Sequence, residues 1–159
     1  MALPTAAERI FHGRGGLYPG NEQWALDWFA PRWLLTSFQP ASEAELGLVH
    51  EALAARWAML APANAPLNWV YQCRATGHTE TRLMAGKVPD PHEVTEQGAR
   101  YRIHLLKGQN HGLFLDMANG RQWVRENAAG AKVLNLFAYT CAFSIAALQG
   151  GAKQVVNVD

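Results

Sequence analysis

The chain has 159 residues, 49% of them hydrophobic, enough to bury a core for one domain or for a small domain and part of another. A formal net charge of +1 creates no overall basic field of the kind that announces a nucleic-acid binder, although a local patch escapes such a count. Two cysteines far apart in the chain, Cys73 and Cys141, argue against a disulfide framework and suit a reducing cytoplasm.

The N-terminus, M-A-L-P-T-A-A-E-R-I, lacks the basic flank and apolar run of a signal peptide. No uninterrupted apolar stretch anywhere reaches the ~18 residues of a membrane span. Residues 9–20, R-I-F-H-G-R-G-G-L-Y-P-G, are dense in glycine and carry Arg9, His12 and Arg14. One reading is an anion-binding loop of freed amides and arginines. The other, which carries more weight, is an irregular lead-in loop with glycine where the backbone needs positive φ. A P-loop is excluded, because the Gly-Lys-Ser/Thr ending is absent.

Trp24, Leu26 and Trp28 then alternate with smaller or polar residues, the pattern of a strand. The Pro31-Arg32 break before W-L-L-T-S-F predicts a hairpin. Ser42 and Glu45 have capping-box spacing. Leu46, Val49, Leu53, Trp57 and Leu60 follow at helical steps, so an amphipathic helix is expected to about Leu60. After A-P-A-N-A-P, residues Leu67, Trp69, Tyr71 and Cys73 share one face of a further strand, with Cys73 as a small buried hydrophobe.

Residues 74–99 are polar and broken by Gly77, Gly86, Pro89 and Pro91; a long, solvated, mobile connection is expected there. None of the six histidines has partners at metal-ligand spacing, so no metal is predicted. Tyr101, Ile103 and Leu105 alternate with polar residues, and G-L-F-L-D-M follows the turn K-G-Q-N-H-G, predicting a second hairpin. Asn119-Gly120 should lead into a helix near 121–128, stopped at Gly130. The expected order is strand-strand-helix-strand-strand, a small α+β domain over residues 1–107.

The stretch from Lys132 to Asp159 reads as buried strand, tight loop, short helix, double-glycine stop and second strand ending in an acid. This is the first βαβ unit of an α/β, Rossmann-like fold. In such sheets a ligand lies beyond the carboxyl ends of the strands, here over A-Y-T-C-A-F-S and near Asp159. The helix start offers free amides to an anionic group, and the acid can accept from ribose hydroxyls. A dinucleotide needs glycines so that the backbone can approach its pyrophosphate, yet no glycine stands between Phe137 and Gln149. That disfavours an NAD-dependent oxidoreductase and leaves S-adenosylmethionine open. Asp159 as an ordinary strand-end residue remains the simpler alternative.

The run G-Q-N-H-G-L-F-L-D-M-A-N-G-R, followed by V-L-N-L-F-A-Y-T-C-A-F-S and G-G-A-K-Q-V-V-N-V-D, resembles the class I S-adenosylmethionine-dependent methyltransferases of the 23S ribosomal RNA large-subunit group. That group includes cytosine carbon-5 enzymes and a guanine N7 relative. The likeness is close over about residues 93–159, and the preceding elements are similar to the group's central α+β domain. The RNA-binding PUA domain of some members shows no counterpart. The resemblance implies that Asn135, Phe137, Ala138, Tyr139, Thr140, Cys141, Phe143 and Ser144 line the methionine end of the cofactor and that Asp159 holds its ribose. Asp116 and Arg121, from F-L-D-x-x-x-x-R, are implied at the border of the same pocket. Many relatives carry glycines where Cys141-Ala142 stand, and Asn135 replaces an acid common at that position.

The group's catalytic cysteine lies well downstream, so Cys141 is not expected to be the nucleophile, and no catalytic residue is expected before Asp159. Residues 108–159 then correspond to the incomplete start of a cofactor domain. The expectation is an N-terminal fragment, inactive alone, of a cytoplasmic enzyme acting on 23S ribosomal RNA. A non-catalytic RNA-binding module is the rival reading. Val133, Leu134 and Leu136 are expected at an unpaired apolar edge that favours self-association.

Overall fold

A computed structural model describes residues 3–159; Met1 and Ala2, the first residues of the stretch read for a signal peptide, lie outside it. At its centre is a five-stranded sheet of β1 (Glu8–His12), β2 (Trp24–Phe29), β3 (Arg32–Ser37), β4 (Trp69–Ala75) and β5 (His78–Ala85), adjacent in that order. Neighbours are antiparallel except β3 and β4, which are parallel. A parallel pair requires a crossover, supplied by helix α1 (Glu43–Leu60). Its start is the expected capping box. Ser42 Oγ accepts from the Glu45 amide at 3.2 Å, and the Glu45 carboxylate accepts from the Ser42 amide at 2.8 Å.

The sheet is covered on both faces. On one, Trp28, Trp33, Leu35, Trp69, Tyr71 and Cys73 pack against Leu46, Leu53 and Trp57 of α1. The indoles of Trp28 and Trp33 meet at 4.5 Å between ring centres. On the other, Phe29, Leu34 and Val70 meet Val94, Tyr101 and Ile103, together with Leu105, Leu113 and Leu115. The predicted alternation in 67–73 is therefore right, and the intervening residues are buried as well.

Three expectations need correction. Residues 74–99 are largely strand: β5 hairpins onto β4, and β6 (His92–Glu96) pairs with β7 (Ala99–Ile103). An edge strand keeps a polar outer face, and H-T-E-T-R-L-M-A is such a strand. In β6 the inward positions belong to His92, Val94 and Glu96, so two of three buried residues are polar. Secondly, residues 9–20 are not all loop, since β1 pairs with β2 and Arg9 binds Asp27 at 2.8 and 3.2 Å; the irregular part begins at Gly13.

Thirdly, the hairpin expected between 101–105 and 112–117 does not form; β7 pairs with β6 instead. The turn itself closes: the His104 amide donates to the His111 carbonyl at 2.9 Å. Gly112, at φ +106°, then redirects the backbone where a Cβ would stand 3.2 Å from the Arg102 carbonyl oxygen. A single 3-10 turn (Leu115–Met117) leads into α2 (Ala118–Asn127). Asn119-Gly120 thus lies inside the first turn of the helix instead of before it.

The chain ends in β8 (Lys132–Leu136), α3 (Ala142–Gln149) and β9 (Gln154–Val158). Strands β8 and β9 are parallel, with Leu134 opposite Val156 and Leu136 opposite Val158. Val133 is half-buried, while Leu134 and Leu136 are 61% and 55% exposed. Their face also carries exposed Val156 and Val158. Among the described residues β8 has no neighbour besides β9.

Candidate functional site

The strand β8 delivers the chain into the loop 137–141, where Phe137, Tyr139 and Cys141 all adopt positive φ (57°, 49° and 61°). Left-handed backbone strains a residue with a Cβ, so the surroundings must hold it. They do so from two sides. The Ala138 amide donates to the Val158 carbonyl at 3.2 Å, and the Tyr139 amide to Asp159 Oδ1 at 3.2 Å. Thr140 Oγ1 donates to the Gly112 carbonyl at 2.6 Å, and the Tyr139 hydroxyl to the Asn110 carbonyl at 3.4 Å.

Cys141 occupies the N-cap of α3 and gives no side-chain cap, so the helix's first amides have no side-chain partner there. Beneath the loop, Asn135 Nδ2 donates to Ser144 Oγ at 2.7 Å and to Asn157 Oδ1 at 3.2 Å. The Ser144 hydroxyl also donates to Asn157 Oδ1. This network fastens β8, α3 and β9 to one another.

The sequence-derived residues thus divide into groups. Phe137, Ala138, Tyr139, Thr140, Phe143 and Arg121 share the wall of a small cavity of about 90 Å³. Phe114, Met117 and Ala142 complete it; the sequence reading missed them because no reactive side chain marks them. Asn135 and Ser144 are engaged with each other below, and Cys141 contributes backbone geometry at the helix start. Asp159 does not line this cavity; it stands exposed, one carboxylate oxygen on the Tyr139 amide.

The two residues from F-L-D-x-x-x-x-R part company. Arg121 is buried, donates two 2.6 Å hydrogen bonds to the Glu96 carboxylate, and lies over the Phe143 ring at 5.9 Å. Asp116 faces a different cleft, with Arg9 and Arg74. Phe114 lines both cavities, its ring 5.4 Å from that of Tyr139.

The sequence profile described as S-adenosylmethionine-dependent methyltransferase matches residues 8–159. The chain belongs to this methyltransferase family.

This methyltransferase chain is 44% identical over 80 residues to the ribosomal RNA large subunit methyltransferase K/L of Psychrobacter sp., a match covering 50% of the chain and 10% of that protein. It is 45% identical over 74 residues to the large subunit methyltransferase K of Neisseria meningitidis, covering 46% of the chain and 21% of that protein. Among solved structures, a Streptococcus mutans S-adenosylmethionine-dependent methyltransferase superposes with TM-score 0.73 at 28% identity, over 98% of the chain and 39% of its own. A methyltransferase complexed with SAH gives TM-score 0.74 at 28% identity, over 98% and 38%. The methyltransferase chain therefore spans only a fraction of the length of these relatives. The family's cofactor is S-adenosylmethionine, and among the described residues no helix is long and apolar enough to cross a membrane.

Proposed function

We propose that this chain forms the accessory domain (residues 1–107) and the cofactor-holding start (residues 108–159) of an RNA methyltransferase acting on large-subunit ribosomal RNA. The observation that carries the reading is the pairing of the Asp159 carboxylate with the Tyr139 amide beside the uncapped first turn of α3. The names of the similar proteins, ribosomal RNA large subunit methyltransferases K/L and K, supply the substrate class. Within that class, the 23S resemblance leads us to a cytosine carbon-5 or guanine N7 position.

The residues present fit the methionine and ribose parts of S-adenosylmethionine. The α3 amides suit a carboxylate, and the cavity edged by Phe137, Tyr139 and Phe143 suits an apolar chain. The exposed Asp159 carboxylate is an acceptor for two hydroxyls. When bound, S-adenosylmethionine supplies an electrophilic methyl group. The chain's own part is to hold and orient: Thr140 and Tyr139 pin the loop to 110–112, and the Asn135–Ser144–Asn157 network keeps α3 aimed at the ligand. No residue on the cavity wall is assigned a proton-transfer or nucleophilic role.

Calorimetric titration with S-adenosylhomocysteine tests the reading. The wild-type chain should bind, and Asp159→Ala should weaken binding by about tenfold or more, the scale of one lost charge-assisted contact. Asp159→Asn should recover part of it. A wild-type chain that binds no cofactor would overturn the proposal and favour a non-catalytic interaction module.

A further inference from the structure

A second cleft, of about 220 Å³, lies between the central sheet and the segment leading into α2, lined by residues that include Arg9, Arg14, Arg74, His111 and Asp116. Phe114 separates it from the cofactor cavity, so the two are neighbours across one ring.

Its polar groups are not self-satisfied. His111 is 5% exposed. The His104 carbonyl can only accept, so the 3.1 Å contact from His111 Nδ1 fixes the proton on that nitrogen. Nε2 is then an acceptor, and it has no partner among the described residues. Burial lowers the imidazole's affinity for a second proton, which keeps that lone pair available near neutral pH. A buried acceptor of this kind needs a donor.

The arginines differ in how they are engaged. Arg9 is committed to Asp27. Arg74 donates Nε to Gln72 Oε1 at 2.5 Å, and no ion pair holds it among the described residues. Arg14 lies 4.3 Å above the Phe38 ring, which leaves its outer N–H groups free to meet an anion.

A proton-free anion such as sulfate would satisfy the arginines and leave Nε2 unpaired; an apolar ligand would satisfy neither. A nucleotide unit carries both a phosphate and N–H or O–H donors, with a planar ring suited to aromatic walls. We propose that this cleft binds one nucleotide of the RNA strand, next to the one presented to the cofactor, with its phosphate on Arg14 and Arg74 and a donor on His111 Nε2. This rests on the RNA methyltransferase reading above.

The test is fluorescence anisotropy with a short fluorescein-labelled single-stranded RNA, using the full chain as wild type, Arg74→Gln and His111→Phe. S-adenosylhomocysteine binding is measured on each protein in parallel. Both variants should lose about tenfold in RNA affinity, the scale of one good nucleotide contact, with cofactor affinity unchanged. Arg74→Gln should also lower the salt slope by about one phosphate contact. In the wild type, RNA should shift the His111 Nε2 nitrogen resonance as the lone pair gains a donor. Unchanged RNA affinity in Arg74→Gln, or an unmoved Nε2 resonance on saturation, overturns the cleft and leaves the methyltransferase reading intact. A wild type that binds cofactor but no RNA overturns the cleft together with the choice of RNA. The matched DNA strand identifies the donor: equal binding assigns it to the base, and weaker binding assigns it to the ribose.

Discussion

The Arg121 guanidinium and the Glu96 carboxylate share two hydrogen bonds of 2.6 Å, with side chains only 2% and 6% exposed. The pair joins α2 to β6, and so joins the unit that carries the 137–141 loop to the hairpin covering the central sheet. Removing one partner strands the other's charge in the interior, which costs about 3–5 kcal/mol. Glu96→Gln and Arg121→Met should each lower the urea midpoint accordingly. The double change Glu96→Leu with Arg121→Met should regain much of the loss, because no charge is left to desolvate. A single-variant cost below about 1 kcal/mol, the level of an exposed pair, would show that the pair is not what holds these elements together.

Gly150 sets how closely α2 and α3 approach. A Cβ there would fall 2.1 Å from the Arg125 carbonyl oxygen and 2.9 Å from its Cα, and both are backbone atoms that cannot rotate away. Gly150 has φ −79°, so the demand is for space and not for left-handed backbone. Gly150→Ala should destabilise by about 2–3 kcal/mol, as overpacking does. Thermal unfolding of the variant checks it, and an unchanged midpoint would mean that the helices separate freely.

The βαβ unit and α1 were legible because local signals and tertiary need coincide there. In β8, L-N-L is apolar apart from one residue, and Ser42-x-x-Glu45 sits where the helix begins. Strands β5 and β6 were illegible for opposite reasons. β5 is a polar edge, and β6 buries His92 and Glu96 against partners more than twenty residues away in sequence, namely the Phe29 carbonyl at 2.9 Å and Arg121. The candidate site was proposed from the sequence as a loop and an acid, since both follow from strand and helix order. What separates Asp116 from Arg121 is the 3-10 turn at Leu115–Met117, which periodicity does not reveal. The same turn puts Phe114 and Met117 on the cavity beside the 137–141 loop.

Cys141 adopts left-handed backbone, with φ 61°. A Cβ in left-handed backbone costs about 1–2 kcal/mol, while glycine lowers stability by about 0.4–1 kcal/mol through the unfolded chain. Cys141→Gly should therefore be neutral or slightly stabilising. Cys141→Val, branched at Cβ, should be destabilising by more than either figure. Urea denaturation of the two variants side by side checks the order. A Cys141→Gly variant markedly less stable than wild type would mean that the thiol's packing outweighs backbone strain.

Burial holds the His92 imidazole below the ordinary histidine range, against the opposing pull of the Phe29 and Ala30 carbonyls on Nε2. The unfolded chain binds the proton more readily, so stability rises with pH across this window. The contribution is complete above about pH 6.5, the ordinary value, and is lost as pH falls towards the folded one. His111 shifts in the same direction. Carboxylates held low, Glu43 by Arg82 and Asp90 by Lys107 and His104, lose their contribution only at still lower pH. The melting temperature should fall between about pH 7 and pH 5. His92→Gln should flatten part of that slope and leave the His111 share. An equal slope in the variant would assign the acid lability elsewhere.

Leu134, Leu136, Val156 and Val158 make the β8–β9 pair apolar on the face away from α3, each between 46% and 61% exposed. Phe137 beside them is 90% exposed. Among the described residues the outer edge of β8 has no strand partner, and an apolar face with an open edge is the combination that templates strand addition. We predict concentration-dependent self-association of the chain through this surface. Leu136→Lys should reduce it, because a charge on a docking face is desolvated only at high cost. The same change should leave the Asp159–Tyr139 bond undisturbed, since the Leu136 side chain lies on the opposite side of β8 from Asn135 and α3. Sedimentation velocity over a concentration series distinguishes the outcomes. A wild type that stays monomeric, or a Leu136→Lys variant that associates as strongly, would show that the apolar face is not what draws copies together.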